Sequence, residues 1–225
     1  MRPIITNALL NTRSLWTIFV IAFAWLSLNS PFAFAQSHTA ISETTGIGKL
    51  GTVVTPDGTT FKITGGTRSD EGRGTNLFHS FDQFSVGPGD VAKFLNTTPA
   101  PHTENIVSRV TGQSPSSIFG TIDTTNYPGA NLFLMNPAGI IFGPTAKLDI
   151  GGSVTFTTAN YLRLAGAAGS SSGIFYADVT RANVLTSASI AAFGFLEANP
   201  TSISLQGSTL KTTPGKSISL VGGDT

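Results

Sequence analysis

One internal repeat constrains this chain more than any other feature. The stretch GTVVTPDGTTFKITGGT, Gly51 to Thr67, aligns without gaps on STLKTTPGKSISLVGGD, Ser208 to Asp224. Thr52 falls on Thr209, Val53 on Leu210, Thr55 on Thr212 and the turn residue Gly58 on Gly215. Phe61 and Ile63 fall on Ile218 and Leu220, and Gly65–Gly66 on Gly222–Gly223. FGPTAKLDIGG, Phe142 to Gly152, is a looser third copy with its strand one residue out of phase. Each copy reads as strand, Pro/Gly turn, alternating strand and Gly-Gly corner, a coil of roughly 20 residues. A unit that short buries its apolar face only by stacking on neighbours, which points to a β-solenoid. Short strands with frequent turns also suit a β-sandwich, the alternative on pattern alone.

The rest of the chain agrees with an all-β reading. After the N-terminal segment, no long stretch places apolar residues at i, i+3, i+4 and i+7. Alternation of period two dominates: Val154 and Phe156 in SVTFT, Ile203 and Leu205 in SISL, Leu148 and Ile150 in KLDI. The chain has 25 Gly and 12 Pro but only 11% charged residues, as a stack with mostly apolar inward positions requires. Glycines would form corners at positive φ, Asn and Asp would satisfy turns, and β-branched side chains would fill a narrow interior.

Residues 1–35 stand apart. Arg2 and Arg13 make a basic start, an apolar run extends from Leu15 to Leu28, and PFAFAQ places Ala33 and Ala35 before Gln36. This order predicts a secretory signal peptide cleaved after Ala35. The run is short for a spanning helix, which needs about 20 apolar residues, so no stable membrane span is expected after cleavage. Removal takes away two of 13 basic residues and none of 12 acidic ones, changing the net charge from +1 to −1. Without a basic cluster, nucleic acid is not an expected partner. The remaining residues 36–225 fit one domain. The chain has no cysteine, although disulfides are allowed where a signal would send it. That suits passage of a second membrane in unfolded form. The last repeat copy runs to the end of the chain where another strand is expected, so residues 36–225 are read as truncated at their C-terminal end.

Reactive chemistry is hard to assemble from these residues. GIGKLG, Gly46 to Gly51, matches a dinucleotide pattern, but a strand-like segment follows where a helix is required. PGKS, Pro214 to Ser217, has Leu210 where a phosphate loop needs glycine. His38, His79 and His102 are widely spaced, without the convergent ligands of a metal site, and no metal or cofactor is expected. The adjacent acids Asp70 and Glu71 would point to opposite faces of a strand and read as part of a solvated loop. Asn96–Thr97–Thr98 is a formal glycosylation sequon to which no function is attached. A β-helical carbohydrate-active enzyme would need several carboxylates on one groove, whereas the other acids here stand singly.

Three segments occur in order: LFHSFDQFSV (Leu77 to Val86), NIVSRVTGQSPSSIFG (Asn105 to Gly120) and ANLFLMNPAGIIFG (Ala130 to Gly143). The set resembles the N-terminal two-partner secretion domain of filamentous haemagglutinin-type exoproteins. His79, Phe81, Phe84 and Val86 fit the first family segment. Arg109, Val110, Thr111, Gly112, Pro115, Ser116, Ile118 and Gly120 fit the second, and Asn136, Pro137, Gly139 and Ile140 the third. Ala138 departs from the family's N-P-N-G-I, and Ser114 stands where Asn is frequent. If the missing Asn caps the turn, Ala138 removes a hydrogen bond of about 1 kcal/mol.

The resemblance implies a right-handed parallel β-helix with an N-terminal cap and extra-helical hairpins. It implies export through the periplasm to the surface or medium, without catalysis, as the secretion-signal domain of an adhesin-like exoprotein. The implied partner is an outer-membrane β-barrel transporter with periplasmic receptor domains, which reads the turn Asn136, Pro137, Gly139 and Ile140. A host-cell or surface glycan target follows from the adhesin class. A purely structural cell-surface protein is a further alternative.

Overall fold

The computed structural model describes residues 38–97, 101–165 and 173–223. The expected signal segment, Thr98 of the sequon and Asp224 of the repeat lie outside the described residues. These residues hold no α-helix, only a 3-10 turn at Asp70–Gly72. Strands β1 (Ala40–Glu43), β2 (Thr52–Asp57), β3 (Thr60–Gly65) and β4 (Thr67–Arg68) precede the longest, β5 (Asn76–Ser85). There follow β6 (Val91–Phe94), β7 (Asn105–Val110), β8 (Ser116–Ile118), β9 (Thr121–Asp123), β10 (Asn131–Met135) and β11 (Ile140–Phe142). Next come β12 (Lys147–Asp149), β13 (Val154–Thr157), β14 (Tyr161–Leu164), β15 (Gly173–Tyr176), β16 (Ile190–Gly194), β17 (Ile203–Leu205) and β18 (Ile218–Val221).

Three sheets are parallel. The first runs β5-β7-β10-β13-β18, with β1 and β4 antiparallel along β5. The second runs β3-β6-β9-β12, with β2 antiparallel on β3. The third is β8-β11-β17, extended by a parallel bridge from Val86 to Ile118. The chain visits them in a fixed order: β6, β7, β8, then β9, β10, β11, then β12, β13, β17. This is an all-β fold of parallel sheets, consistent with a β-helix type, whereas a sandwich pairs its strands antiparallel. β14, β15 and β16 form a separate antiparallel sheet between β13 and β17.

Register turns the alternation into columns. Leu77, Ile106, Leu132, Val154 and Ile218 are successive partners across the first sheet, all in or packed against the main core. The outward column Phe78, Val107 and Phe133 is apolar as well. Leu162, Leu164 and Phe175 of the antiparallel sheet cover it in a second cluster. Strands buried on both faces need no polar alternation, which is why LFHSF and NIVSRV look unpatterned. Further along the sheet the outward column changes to Thr155 and Ser219.

The expected pairs Leu148/Ile150 and Val154/Phe156 are buried. In the third pair Ile203 is buried but Leu205 is 46% exposed. The repeat proves not to be the structural coil. Its first copy is an antiparallel hairpin pairing Thr52 with Gly65 around Gly58, at φ 59°. In its second copy Ser208–Thr213 forms no strand, and only β18 is paired, in a different sheet. Shared turn chemistry set the similarity, while tertiary pairing set the role. The circuit is longer: strands of the second sheet begin at Val91, Thr121 and Lys147, 26–30 residues apart. The corner glycines also differ from expectation at Gly151–Gly152, where φ is not positive. There a Cβ on Gly152 would lie 2.5 Å from the Ala130 carbonyl oxygen, so close stacking excludes a side chain.

Candidate functional site

The three sequence segments occupy one corner on three successive circuits, where the first sheet hands over to the third. The first segment ends β5 and runs into Val86. The second crosses from β7 to β8, and the third from β10 to β11. Phe81 partners Val110, Arg109 partners Met135, Ser116 partners Ile140, and Val86 lies against Ile118, itself paired with Phe142. Their spacing in sequence is therefore the length of a circuit.

Asn136 holds the corner and is 0% exposed. Its Nδ2 donates to the Ser114 carbonyl at 3.1 Å and to Ser116 Oγ at 2.9 Å, one circuit earlier. Its Oδ1 accepts the Ala138 N–H at 2.9 Å. The Gly139 N–H closes the turn on the Asn136 carbonyl at 3.0 Å, and the Gly139 carbonyl accepts the Ser116 N–H at 3.0 Å. Gly139 has φ 114°, a conformation that excludes most side chains. The Thr201 hydroxyl donates to the Pro137 carbonyl from the following circuit. Asn136 caps the turn, so Ala138 costs it no capping bond: the residue at 138 contributes its N–H.

The glycines of the second segment serve the stacking. A Cβ on Gly112 would meet the Asp82 carbonyl oxygen at 2.2 Å, and one on Gly120 the Gly87 carbonyl oxygen at 2.3 Å. Pro115 is exposed and ends the turn before buried Ser116. Phe81 and Phe84 of the first segment lie inward, 5.0 Å apart and both near Phe94. His79 sits among them, its Nδ1 3.2 Å from Thr52 Oγ1. Burial, with the Arg68 charge as a lesser cause, pushes its pKa down to about 3, so it is neutral at ordinary pH.

Arg109 points outward from β7 yet is 0% exposed. Nε donates to Ser80 Oγ at 2.9 Å, Nη1 to the Tyr176 carbonyl at 2.6 Å and Nη2 to the Gly48 carbonyl at 2.7 Å. The guanidinium lies 4.8 Å from the centre of the Phe175 ring. Burial lowers its pKa to about 10, against the opposing pull of Asp178, so it remains charged. One cation thus joins the N-terminal loop, β5 and the antiparallel sheet. In this way Gly48, singled out for a nucleotide pattern, serves as a carbonyl acceptor, and strand β2 follows it rather than a helix.

Sequence reasoning missed a polar ladder at the start of the first sheet. Asn105 Nδ2 donates to Asn76 Oδ1 at 2.8 Å, and Asn131 Nδ2 to Asn105 Oδ1 at 3.1 Å. Asn131 Oδ1 then accepts the Ser153 N–H at 2.9 Å. At its other end Asn76 donates to the Thr186 and Ala188 carbonyls of the excursion that carries β14–β16 between β13 and β17. The recurrence of Asn at the first position of three strands was the available signal. Asp70, read as solvated loop, has φ 51° and accepts from the Ser187 N–H at 3.1 Å.

Only the rim of the corner is open. Gln113, Ser114 and Pro115 are exposed. Thr111, Gly112 and Pro137 share a groove of about 500 Å3 with Asp178, Arg181 and Leu196 of the excursion. Among the described residues no three His, Cys, Asp or Glu side chains converge as metal ligands would. The corner is built of packing and hydrogen bonding, with its charged group fully engaged.

The fold and the corner define an all-β domain of parallel sheets whose three ordered segments meet on successive circuits. Residues 39–225 match the TPS secretion domain, and the chain belongs to that two-partner secretion family. Its membership makes it a secreted two-partner exoprotein, with an outer-membrane transporter implied as partner; the family is in general non-enzymatic. A search of curated proteins returns no match. No helix among the described residues is long and apolar enough to cross a membrane.

Proposed function

We propose that this domain is the export signal of an adhesin-like surface protein, read by periplasmic receptor domains of an outer-membrane barrel while the chain is extended. The burial of the motif residues carries this reading. Asn136, Ser116, Arg109, His79, Phe81, Phe84, Val86 and Ile140 are all buried in the folded domain, so a partner that reads their side chains must meet them before the sheets stack. An extended segment with unpaired backbone groups can add to a receptor's sheet edge. Stacking after passage then opposes return. In this reading residues 1–35 are the cleaved signal, and the sheets wind as a right-handed parallel β-helix, the hand that parallel crossovers strongly favour. β1 and β2 cap its first circuit, and the antiparallel sheet is its extra-helical hairpin element.

The test is export to the medium in cells that carry the barrel partner. Scrambling residues 136–140 is expected to hold the chain in the periplasm. Asn76→Ala weakens the Asn76–Asn105–Asn131 ladder from a position outside the three family segments and is expected to leave export intact. Normal export of the scrambled chain, or equal retention of both variants, defeats the proposal that these residues are read.

A further inference from the structure

The second sheet stops one strand short of the circuits beneath it. After β12, β13 and β17 the chain returns through Ser208–Thr213 to β18, so that segment takes the strand position beyond β12. Ser208, Leu210 and Thr212 are half-buried and alternate with exposed Thr209, Lys211 and Thr213, as in a strand. Leu210 packs against the main core, of which Leu148 in β12 is a member. Yet β12 pairs only with β9.

The unpaired groups face one another. The Lys147 N–H donates to the Gly120 carbonyl at 3.0 Å, and the Asp149 carbonyl accepts the Thr124 N–H at 2.8 Å. These two residues therefore turn their backbone toward β9, and Leu148 between them turns its N–H and C=O the other way. Neither group of Leu148 has a partner among the described residues, and nor does any backbone group from Ser208 to Thr212. The covered hydroxyls of Ser208 and Thr212 have none either. A groove of about 370 Å3 lies here, with Ala146, Lys147, Leu148 and Asp149 on one wall and Thr209 and Lys211 on the other. Both ends of the upper wall are fixed: the Gln206 N–H donates to the Phe142 carbonyl at 2.8 Å, and the Ser217 carbonyl accepts the Val154 N–H at 2.9 Å. One circuit earlier the sheet is closed, and the outward register partners Lys93 and Asp123 pair at 2.9 Å. Setting Leu210 beside Leu148 puts Lys211 beside Asp149, but Lys147, Asp149 and Lys211 are exposed and enter no ion pair among the described residues.

We propose that this groove is a strand-acceptor slot that takes an extended segment of a partner protein. Backbone groups left open on both walls of one slot are answered together by another strand. The walls also select its side chains. Its central residue turns inward between Leu148 and Leu210 and suits Val. The residue before it turns outward beside Lys147 and suits an acid. The residue after it lies between Asp149 and Lys211, whose charges offset, and suits Thr.

The probe is the capped pentapeptide Thr-Glu-Val-Thr-Thr, followed by amide NMR and hydrogen exchange on the folded protein. It is expected to shift and protect the Leu148 and Lys211 amides, to saturate, and to raise the unfolding temperature. A copy N-methylated at Val and the Thr after it loses one bond to each wall and is expected to bind at least about tenfold more weakly. Replacing its Glu by Lys is expected to weaken binding by about threefold or more, and Lys147→Glu to reverse that preference. Absence of protection by the peptide, equal binding of the N-methylated copy, or an unaltered preference in Lys147→Glu overturns the proposal. So does a Leu148 amide already protected without peptide, which would mean that Ser208–Thr213 closes the sheet itself.

Discussion

Every polar atom of the Asn136 side chain is answered within its own chain: two donors by Ser114 and Ser116, one acceptor by the N–H of Ala138. Asn136→Ala strands the Ser116 hydroxyl and the turn amide in a buried place, so it is expected to cost about 1–3 kcal/mol. Ala138→Asn restores the family's usual residue at a position whose N–H is already capped, and is expected to change stability by less than about 0.5 kcal/mol. Urea midpoints at constant slope measure both. His79 gives the second prediction at this scale. Its folded pKa, about 3, lies below the ordinary histidine value of 6.5, so beneath pH 6.5 the unfolded chain binds more protons than the folded one. Stability therefore falls as pH drops from 6.5 toward 3, with a limiting slope of about 1.4 kcal/mol per pH unit from this group. His79→Phe is expected to flatten the curve between about pH 6.5 and pH 5.5, above the range where most carboxylates titrate; an unchanged slope would show that His79 is charged or exposed in the fold.

Arg109 and the antiparallel sheet belong to the scale of elements. Arg109→Met keeps an apolar stem but leaves the carbonyls of Gly48 and Tyr176 without their donor. Hydrogen exchange is expected to speed up first in β14–β16 and the loop around Gly48, while β7 and β10 stay protected by their parallel neighbours. Uniform loss of protection would mean that the cation supports the whole stack rather than these joints. What the sequence made readable follows the range of the interaction. Val154/Phe156 and Leu148/Ile150 were legible because one buried face imposes a period of two. The turn after Asn136 was legible because Pro137 and Gly139 set it locally, but its cap was sought at position 138 and is Asn136. The partners of Arg109 were not, because Gly48 and Tyr176 lie 61 and 67 residues off. The Asn76–Asn105–Asn131 ladder stayed hidden because its members meet only after two circuits have closed. The two copies of the Gly51–Thr67 pattern misled for the complementary reason: similar turn chemistry led to a local hairpin in one place and a long-range parallel strand in the other.

On the scale of the whole molecule, the parallel sheets join residues far apart in sequence, as where β13 meets β18 across the entire β14–β16 excursion. Such pairing forms slowly, because loop closure precedes any reward from the contact, and this leaves time for a partner to meet the chain unstacked. The absence of cysteine allows a direct test. Thr155 and Ser219 are register partners on the outward face of β13 and β18, and neighbouring strands lie within the Cα separation that a disulfide spans. Thr155→Cys with Ser219→Cys would lock the last two strands of the first sheet together once folded in an oxidising compartment. The oxidised double variant is expected to remain in the periplasm. Each single variant should reach the medium normally, and reductant should release the double one. If the locked chain leaves the cell as fast as the cysteine-free one, the sheets need not separate for passage, and the buried residues of the Asn136 corner are not what the transporter reads.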